Sequence, residues 1–287
     1  MKAFAIIFFF FSGILATAQT KDGIFQLDKE YKINPNGTIK LNASDAKVYV
    51  TGSTRNTAHV KIYRQVTTKG VVFGHEEFSV DVSEENGNLR IRETSNSTVV
   101  GMIGYNYEKY SITIEAPEGI SLEVKGDDGD YWIRNIDGRI SLDLDDADVE
   151  LTGCSGDNFE FRMDDGDILM DEGKGRLDIN ADDADVKIQH AQFKSIVADI
   201  DDGDLIIETS LADNGDYQIR AQDGLVALTV TQGGGKFDIR HGDSRITTEG
   251  NFEQVERSDD RTSLRLASGT ARVDIRTDDA RVRLIKR

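Results

Sequence analysis

A small residue returns nine times in this chain at near-constant spacing, each time at a corner rich in aspartate. The series is Gly129, Ala147, Gly166, Ala184, Gly203, Gly224, Ser244, Thr262 and Ala280, at intervals of 18, 19, 18, 19, 21, 20, 18 and 18 residues. The residue just ahead is aspartate at eight of the nine positions, with Arg261 the ninth. Each unit has room for two short strands and two bends and for little else. That leaves few folds open.

Period-2 alternation flanks the corners. Ahead of them lie Ile140-x-Leu142-x-Leu144, Phe159-x-Phe161-x-Met163, Phe237-x-Ile239 and Val273-x-Ile275. Behind them lie Val149-x-Leu151, Ile168-x-Met170, Val186-x-Ile188, Leu205-x-Ile207 and Val282-x-Leu284. Alternate side chains share one face of a strand, so each unit offers two strands with one apolar face apiece. The small residue is in phase with the second apolar set and points into the bend, where a larger side chain would crowd. Units that cannot bury their own apolar faces stack, and the predicted fold is all-β: a parallel β-solenoid of about 18–20 residues per coil. So short a coil predicts a flattened roll without a third long face.

The same signature occurs once earlier, in "IKLNASDAKVYVTG" (39–52), 83 residues ahead of its next copy. Between them, "AHVKIYRQVTT", "EEFSVDVSEENGNLRIRET" and "YEKYSITIEAPEG" read as longer strands in antiparallel hairpins, with "ENGN" as a tight-turn signal. The sequence therefore divides into a leader (1–18), a segment with the first coil (19–52), an antiparallel excursion that caps the stack (53–119) and the solenoid repeats (120–287). Residues 39–50 are predicted to pair in parallel with the coil that begins near Leu122.

The leader reading rests on Lys2, the apolar run "AIIFFFFSGILA" and the small residues Ala16, Thr17 and Ala18. These form a secretory signal, with the mature chain starting near Gln19 and no cysteine there to carry a lipid. No later segment is apolar enough to cross a membrane as a helix. Export makes the location periplasmic, cell-surface or extracellular. The single cysteine, Cys154, excludes an intrachain disulfide and reads as a buried apolar thiol. Net charge is −18, and residues 121–220 alone carry −19. Such a surface opposes nucleic acid and favours cations or basic partners.

Stacked in register, the corners place carboxylates in three columns spaced at about 4.8 Å. The first is Asp127, Asp145, Asp164, Asp182 and Asp201; the second is Asp128, Asp146, Asp165, Asp183 and Asp202. The third is Asp130, Asp148, Asp167, Asp185 and Asp204. Two readings of this edge stand side by side. Calcium takes clustered carboxylate oxygens and would bridge adjacent turns. Alternatively the edge is solvated, keeping an exported protein soluble and discouraging edge association. Beyond Asp204 the third column continues as Leu225, Arg245, Ser263 and Arg281, and basic residues crowd the chain end. The four histidines (His59, His75, His190, His241) show no metal spacing, and no catalytic residue stands out. Trp132, Tyr105, Tyr107 and Tyr110 offer either a carbohydrate-stacking surface or ordinary packing.

Alternating strands, turns ending in Gly-Asp, an amino-terminal hairpin region and "IEAPEGISLEV" (114–124) together resemble the bacterial putative-adhesin β-strand-repeat family, domain of unknown function 4097. The resemblance spans nearly all of the mature chain. It implies a secreted or envelope-associated β-solenoid and supplies no catalytic residues. The functional expectation is a non-enzymatic binding or structural module of the envelope or surface, its ligand a protein or glycan. The alternative is a polysaccharide-active β-helix enzyme.

Overall fold

The computed structural model describes residues 23–73, 76–98, 101–266 and 269–287, and their regular structure is entirely β. The leader and the mature start near Gln19 lie outside the described residues, as does His75. The chain opens with β1 (Ile24–Lys32), β2 (Thr38–Ala43) and β3 (Lys47–Ser53). Longer strands follow: β4 (Thr57–Phe73), β5 (Glu76–Glu85), β6 (Asn88–Ser97) and β7 (Gly101–Pro117). Next come β8 (Ser121–Arg134), β9 (Ile140–Thr152), β10 (Asn158–Asp171) and β11 (Lys174–Ile200), which run straight through the aspartate corners. Shorter strands then alternate: β12 (Asp204–Thr209), β13 (Asp216–Ala221), β14 (Leu225–Val230), β15 (Gly235–His241) and β16 (Arg245–Glu249). The last four are β17 (Phe252–Arg257), β18 (Arg261–Leu266), β19 (Ala271–Thr277) and β20 (Arg281–Lys286).

Each coil gives one strand segment to each of two sheets, and successive coils pair in parallel. Leu122 partners Ile140, Ile140 partners Phe159 and Phe159 partners Leu177 on the first sheet. Tyr131, Val149, Ile168, Val186 and Leu205 form the matching ladder on the second. The molecule is a parallel β-solenoid with two faces per coil. The first coil joins it as the "SDA" match predicts: Ile39 partners Leu122 and Val48 partners Tyr131, both in parallel.

The segment between these coils is more than a set of hairpins. β4 pairs antiparallel with β7, β5 with β6, and β1 adds outside β4. Yet β6 also runs parallel to β2, and β7 parallel to β3. The excursion therefore covers the first coil on both sheets and completes ladders that would otherwise stay open at that end.

At the other end the structure corrects the sequence order. The repeat predicts coils in succession at Gly224, Ser244, Thr262 and Ala280. Instead β13 and β14 pair with β19 and β20, which pair in turn with β15 and β16. The last coil in the chain is inserted between the Gly224 and Ser244 coils. Thr262 belongs to no coil, because β18 runs antiparallel to both β15 and β17 and ends the first sheet as a hairpin. The third column likewise passes from Leu225 to Arg281 and then Arg245, while Ser263 lies opposite Asp238. Alternation with a small corner residue defines a strand–turn unit. Which neighbour that unit pairs with depends on the edges left free.

The core is a set of side-chain ladders between the sheets, and facing volumes are matched across it. Tyr131 is fully buried, and its hydroxyl occupies the space a Cβ on Gly126 would need. That hydroxyl has no hydrogen-bond partner among the described residues. Tyr131→Phe is therefore expected to leave stability unchanged or raise it by up to about 1 kcal/mol, since an unpaired buried hydroxyl is costly. Denaturant unfolding measures this, and a clear loss of stability would reveal a partner for the oxygen.

Candidate functional site along the aspartate edge

The corners sit where the chain crosses from one sheet to the other. Register places Asp128 beside Asp146, Asp146 beside Asp165 and Asp165 beside Asp183. In the third column Asp130 lies beside Asp148, and Asp167 beside Asp185. The corner extends to the Gly203 coil through the Asp201 and Asp202 N–H groups, which donate to the Ala181 and Asp182 carbonyls at 3.1 and 2.8 Å. All fifteen aspartates are exposed or half-exposed, and Asp45 of the first coil joins them at one end. The alanines between them, Ala147 and Ala184, are buried. Gly129, Ala147, Gly166, Ala184 and Gly203 thus share one corner.

Glycine and alanine alternate there for a reason. Gly166 and Gly203 have φ of 106° and 128°, and a Cβ on either would strike the carbonyl oxygen of Ala147 or Ala184 in the coil beneath. These tight bends take backbone N–H groups out of the regular ladder, and aspartates accept them. Asp148 Oδ1 accepts from Asp167 N–H at 3.2 Å, and Asp185 Oδ1 accepts from Asp204 N–H at 2.7 Å. Asp165 Oδ1 accepts from the Gly166 N–H at 2.6 Å. At the first coil Asp130 pairs with Lys47 at 2.6 Å, and Gln222 donates to Asp201 at 2.6 Å. Part of the edge is therefore structural chemistry of the bends.

The remaining cost shows in the acidities. Burial raises the Asp167 carboxyl above the usual range, helped by Asp148, Asp185 and Asp165. Asp45 is raised in the same direction, by burial and then by Asp128, Glu108, Glu93 and Asp127. Among the described residues, no three His, Cys, Asp or Glu side chains stand together as a metal ion would require. The columns set carboxylates one after another along the axis, with the coil spacing between neighbours.

A family model for Toastrack DUF4097 matches residues 36–284, nearly the whole coil stack and its cap. The chain belongs to that family. Among solved structures it is similar to a putative adhesin from Parabacteroides distasonis, at 10% identity and a TM-score of 0.42, covering 90% of this chain and 96% of that one. A putative adhesin from Bacteroides fragilis shares 14% identity over 90% of this chain and 96% of that one, with a TM-score of 0.35. A putative cell adhesion protein from Clostridium sporogenes shares 10% identity over 91% of this chain and 100% of that one, with a TM-score of 0.27. At such identities and TM-scores the likeness reaches neither ligand nor mechanism. Among curated proteins none matches the chain significantly.

Elsewhere on this Toastrack chain the other singled-out residues separate. Tyr110 is buried, edge-on to Phe78 at 5.4 Å, and takes no part in a stacking surface. Tyr105 and Tyr107 are each 56% exposed on the outer side of β7, while Trp132 stacks on Tyr49 at 4.7 Å on the second sheet. The latter pair arises because β3 and β8 are register neighbours. His241 lies half-buried at a corner with its Nε2 3.1 Å from Thr262 Oγ1, and His190 is held against Asp171 at 2.6 Å. No helix among the described residues is long and apolar enough to cross a membrane.

Cys154 is buried in the core with no exposed surface, its Sγ 3.7 Å from the carbonyl oxygens of Ile133 and Thr152. Burial pushes its thiol up to about 11. The native protein is therefore expected to resist thiol reagents at pH 8 and to react at one equivalent once unfolded, because the thiolate is the reactive form. Labelling with and without denaturant checks this. Rapid native labelling would place the thiol at the surface.

Proposed function

We propose that the mature chain is an exported, non-enzymatic binding module of the cell envelope or surface. Residues 19–52 and 53–119 form its first coil and cap, and 120–287 its ligand-presenting stack. The observation that carries this reading is the register: successive coils present the same positions in straight rows on two open outer faces. A rigid row of repeated groups suits recognition of an extended partner. A polysaccharide-active enzyme instead needs two carboxylates in unlike environments, and these columns repeat one environment from coil to coil. We take the aspartate edge as architecture of the bends, with calcium between turns as the competing reading.

Fractionation of the source cell, with protease shaving of intact cells, tests the location. The mature protein is expected in the periplasmic, surface or medium fraction, cleaved near Gln19. Purified mature protein is expected to sediment with isolated envelopes. Retention in the cytosol with an intact leader would overturn the proposal.

A further inference from the structure

The basic end of the stack carries a feature that the corner columns do not. Because β19 is inserted between β13 and β15, Arg220 partners Arg276 and Arg276 partners Arg240 on three neighbouring strands. Arg261 of β18 extends the row opposite Arg240. Arginines directly opposite one another repel. The outer two are neutralised: Arg220 pairs with Asp199 at 3.4 Å, and Arg261 grips Asp238. Among the described residues Arg276 and Arg240, the central pair, make no ion pair within 4.0 Å, although Arg240 helps Arg261 hold the Asp238 carboxyl low, and both are exposed. A second row lies four residues away on three of these strands, Arg272 of β19, Lys236 of β15 and Arg265 of the antiparallel β18, again register partners, with Asp216 at the matching place on β13. At about 3.3 Å per residue the two rows are about 13 Å apart.

The first row lines an open groove of about 600 Å³ that runs across the strands. Asp199, Asp201, Asp260, Asp278, Gln222 and His241 line it too, beside the four arginines, with Asp199 taken up by Arg220. This mixture is informative about the occupant. Guanidinium forks match carboxylates bidentately and favour planar anions over point charges. Carboxylate and amide oxygens accept hydrogen bonds from hydroxyl groups, and they repel a ligand that is anionic throughout. A chain crossing the groove meets one strand about every 4.8 Å, close to the length of a pyranose unit.

We propose that this groove binds an acidic polysaccharide, with uronate carboxylates on Arg276 and Arg240 and sugar hydroxyls on Asp201, Gln222 and Asp278. The proposal rests on the binding-module reading and names its ligand class. Duplex DNA would bring a continuous row of phosphates against those same carboxylates without hydroxyl groups to suit them, and an anionic lipid surface would set a whole layer of phosphates against them.

Calorimetry with the mature protein tests it, using oligogalacturonate as probe and neutral dextran, duplex DNA and phosphatidylglycerol vesicles as comparisons. Oligogalacturonate is expected to bind, with affinity falling steeply as salt rises, and the double variant Arg240→Ala/Arg276→Ala to bind at least tenfold more weakly. An Arg283→Ala variant, on the second sheet, is expected to bind as the wild type does. Unfolding midpoints of both variants verify that they fold, and Arg276→Gln is the milder replacement if the double variant does not. Undetectable oligogalacturonate binding, equal binding by the double variant, or preference for DNA or vesicles would each overturn the proposal. Envelope sedimentation of the wild type separates the two levels: a protein that sediments with envelopes but ignores oligogalacturonate keeps the module and loses this ligand class.

Discussion

Gly166→Ala and Gly203→Ala are each expected to lower unfolding stability by about 2–3 kcal/mol, the strain of a side chain at positive φ added to overpacking against a backbone carbonyl. At φ of 106° and 128° both positions lie where a Cβ is poorly tolerated, and the atom in the way is backbone of the coil beneath. The neighbours cannot swing aside as a flexible side chain would. Ala147→Leu is expected to cost about 1–3 kcal/mol for a related reason, since Ala147 is buried at the same corner and extra methylenes must displace packed atoms. Two-state denaturant curves measure all three. The glycine and alanine positions should also differ: Ala147→Gly costs about 1 kcal/mol or less, whereas the reverse change at Gly166 is severe. Near-neutral Gly166→Ala and Gly203→Ala would refute the corner geometry.

Changing Asp146, Asp165 and Asp183 together to Asn is expected to stabilise the protein by about 1–2 kcal/mol at low ionic strength, because like charges at this spacing repel by about 1 kcal/mol per pair in water. Asparagine keeps an oxygen for the Gly166 N–H that Asp165 now accepts. The gain should shrink as salt screens the column. Asp148→Ala or Asp185→Ala should act oppositely and cost about 1 kcal/mol each, as each strips an acceptor from a backbone N–H of the next coil. Thermal unfolding across a salt series reads both. Calcium at matched ionic strength is expected to add nothing further; a calcium-specific rise in the midpoint, lost in the triple variant, would establish ion binding between turns.

The pH profile carries the same signs. The Asp45 and Asp167 carboxyls are weaker acids in the folded state, held above the usual carboxylate range, so the native protein binds protons more readily there and gains stability as pH falls from neutral through their raised range. Asp238 is held low by its bond to Arg261, and Glu160 by Arg139. Their contribution is present above the ordinary carboxylate range and lost as pH falls through their lowered values. Maximum stability is therefore expected on the mildly acidic side of neutral. A midpoint that falls steadily from pH 7 downward would show that the ionised edge stabilises the fold, as bound calcium would make it do.

The sequence by itself determined the coil. Alternation at Phe159, Phe161, Ile168 and Met170, with a small residue at Gly166, is local information, because side-chain direction along a strand has period two. A bend with φ above about 100°, as at Gly166 and Gly203, admits glycine almost alone. Those rules act within one coil, and equal spacing then brings the aspartates of successive coils into columns. The early "SDA" coil was legible for the same reason, since its pattern matches column by column across a long insertion.

What only the tertiary structure decided is which strands are neighbours when the spacing is silent. Nothing local in residues 271–286 specifies insertion between the Gly224 and Ser244 coils, and nothing at Thr262 marks an antiparallel hairpin in place of a corner. Both follow from the stack as a whole, in which each apolar face must find a free edge and the final edges must be covered. The row Arg220–Arg276–Arg240 is a product of that insertion. Its members lie 56 and 36 residues apart in the chain, and no motif connects them. Hydrogen-bonded strand pairing, acting across the sheet, is what makes them one surface.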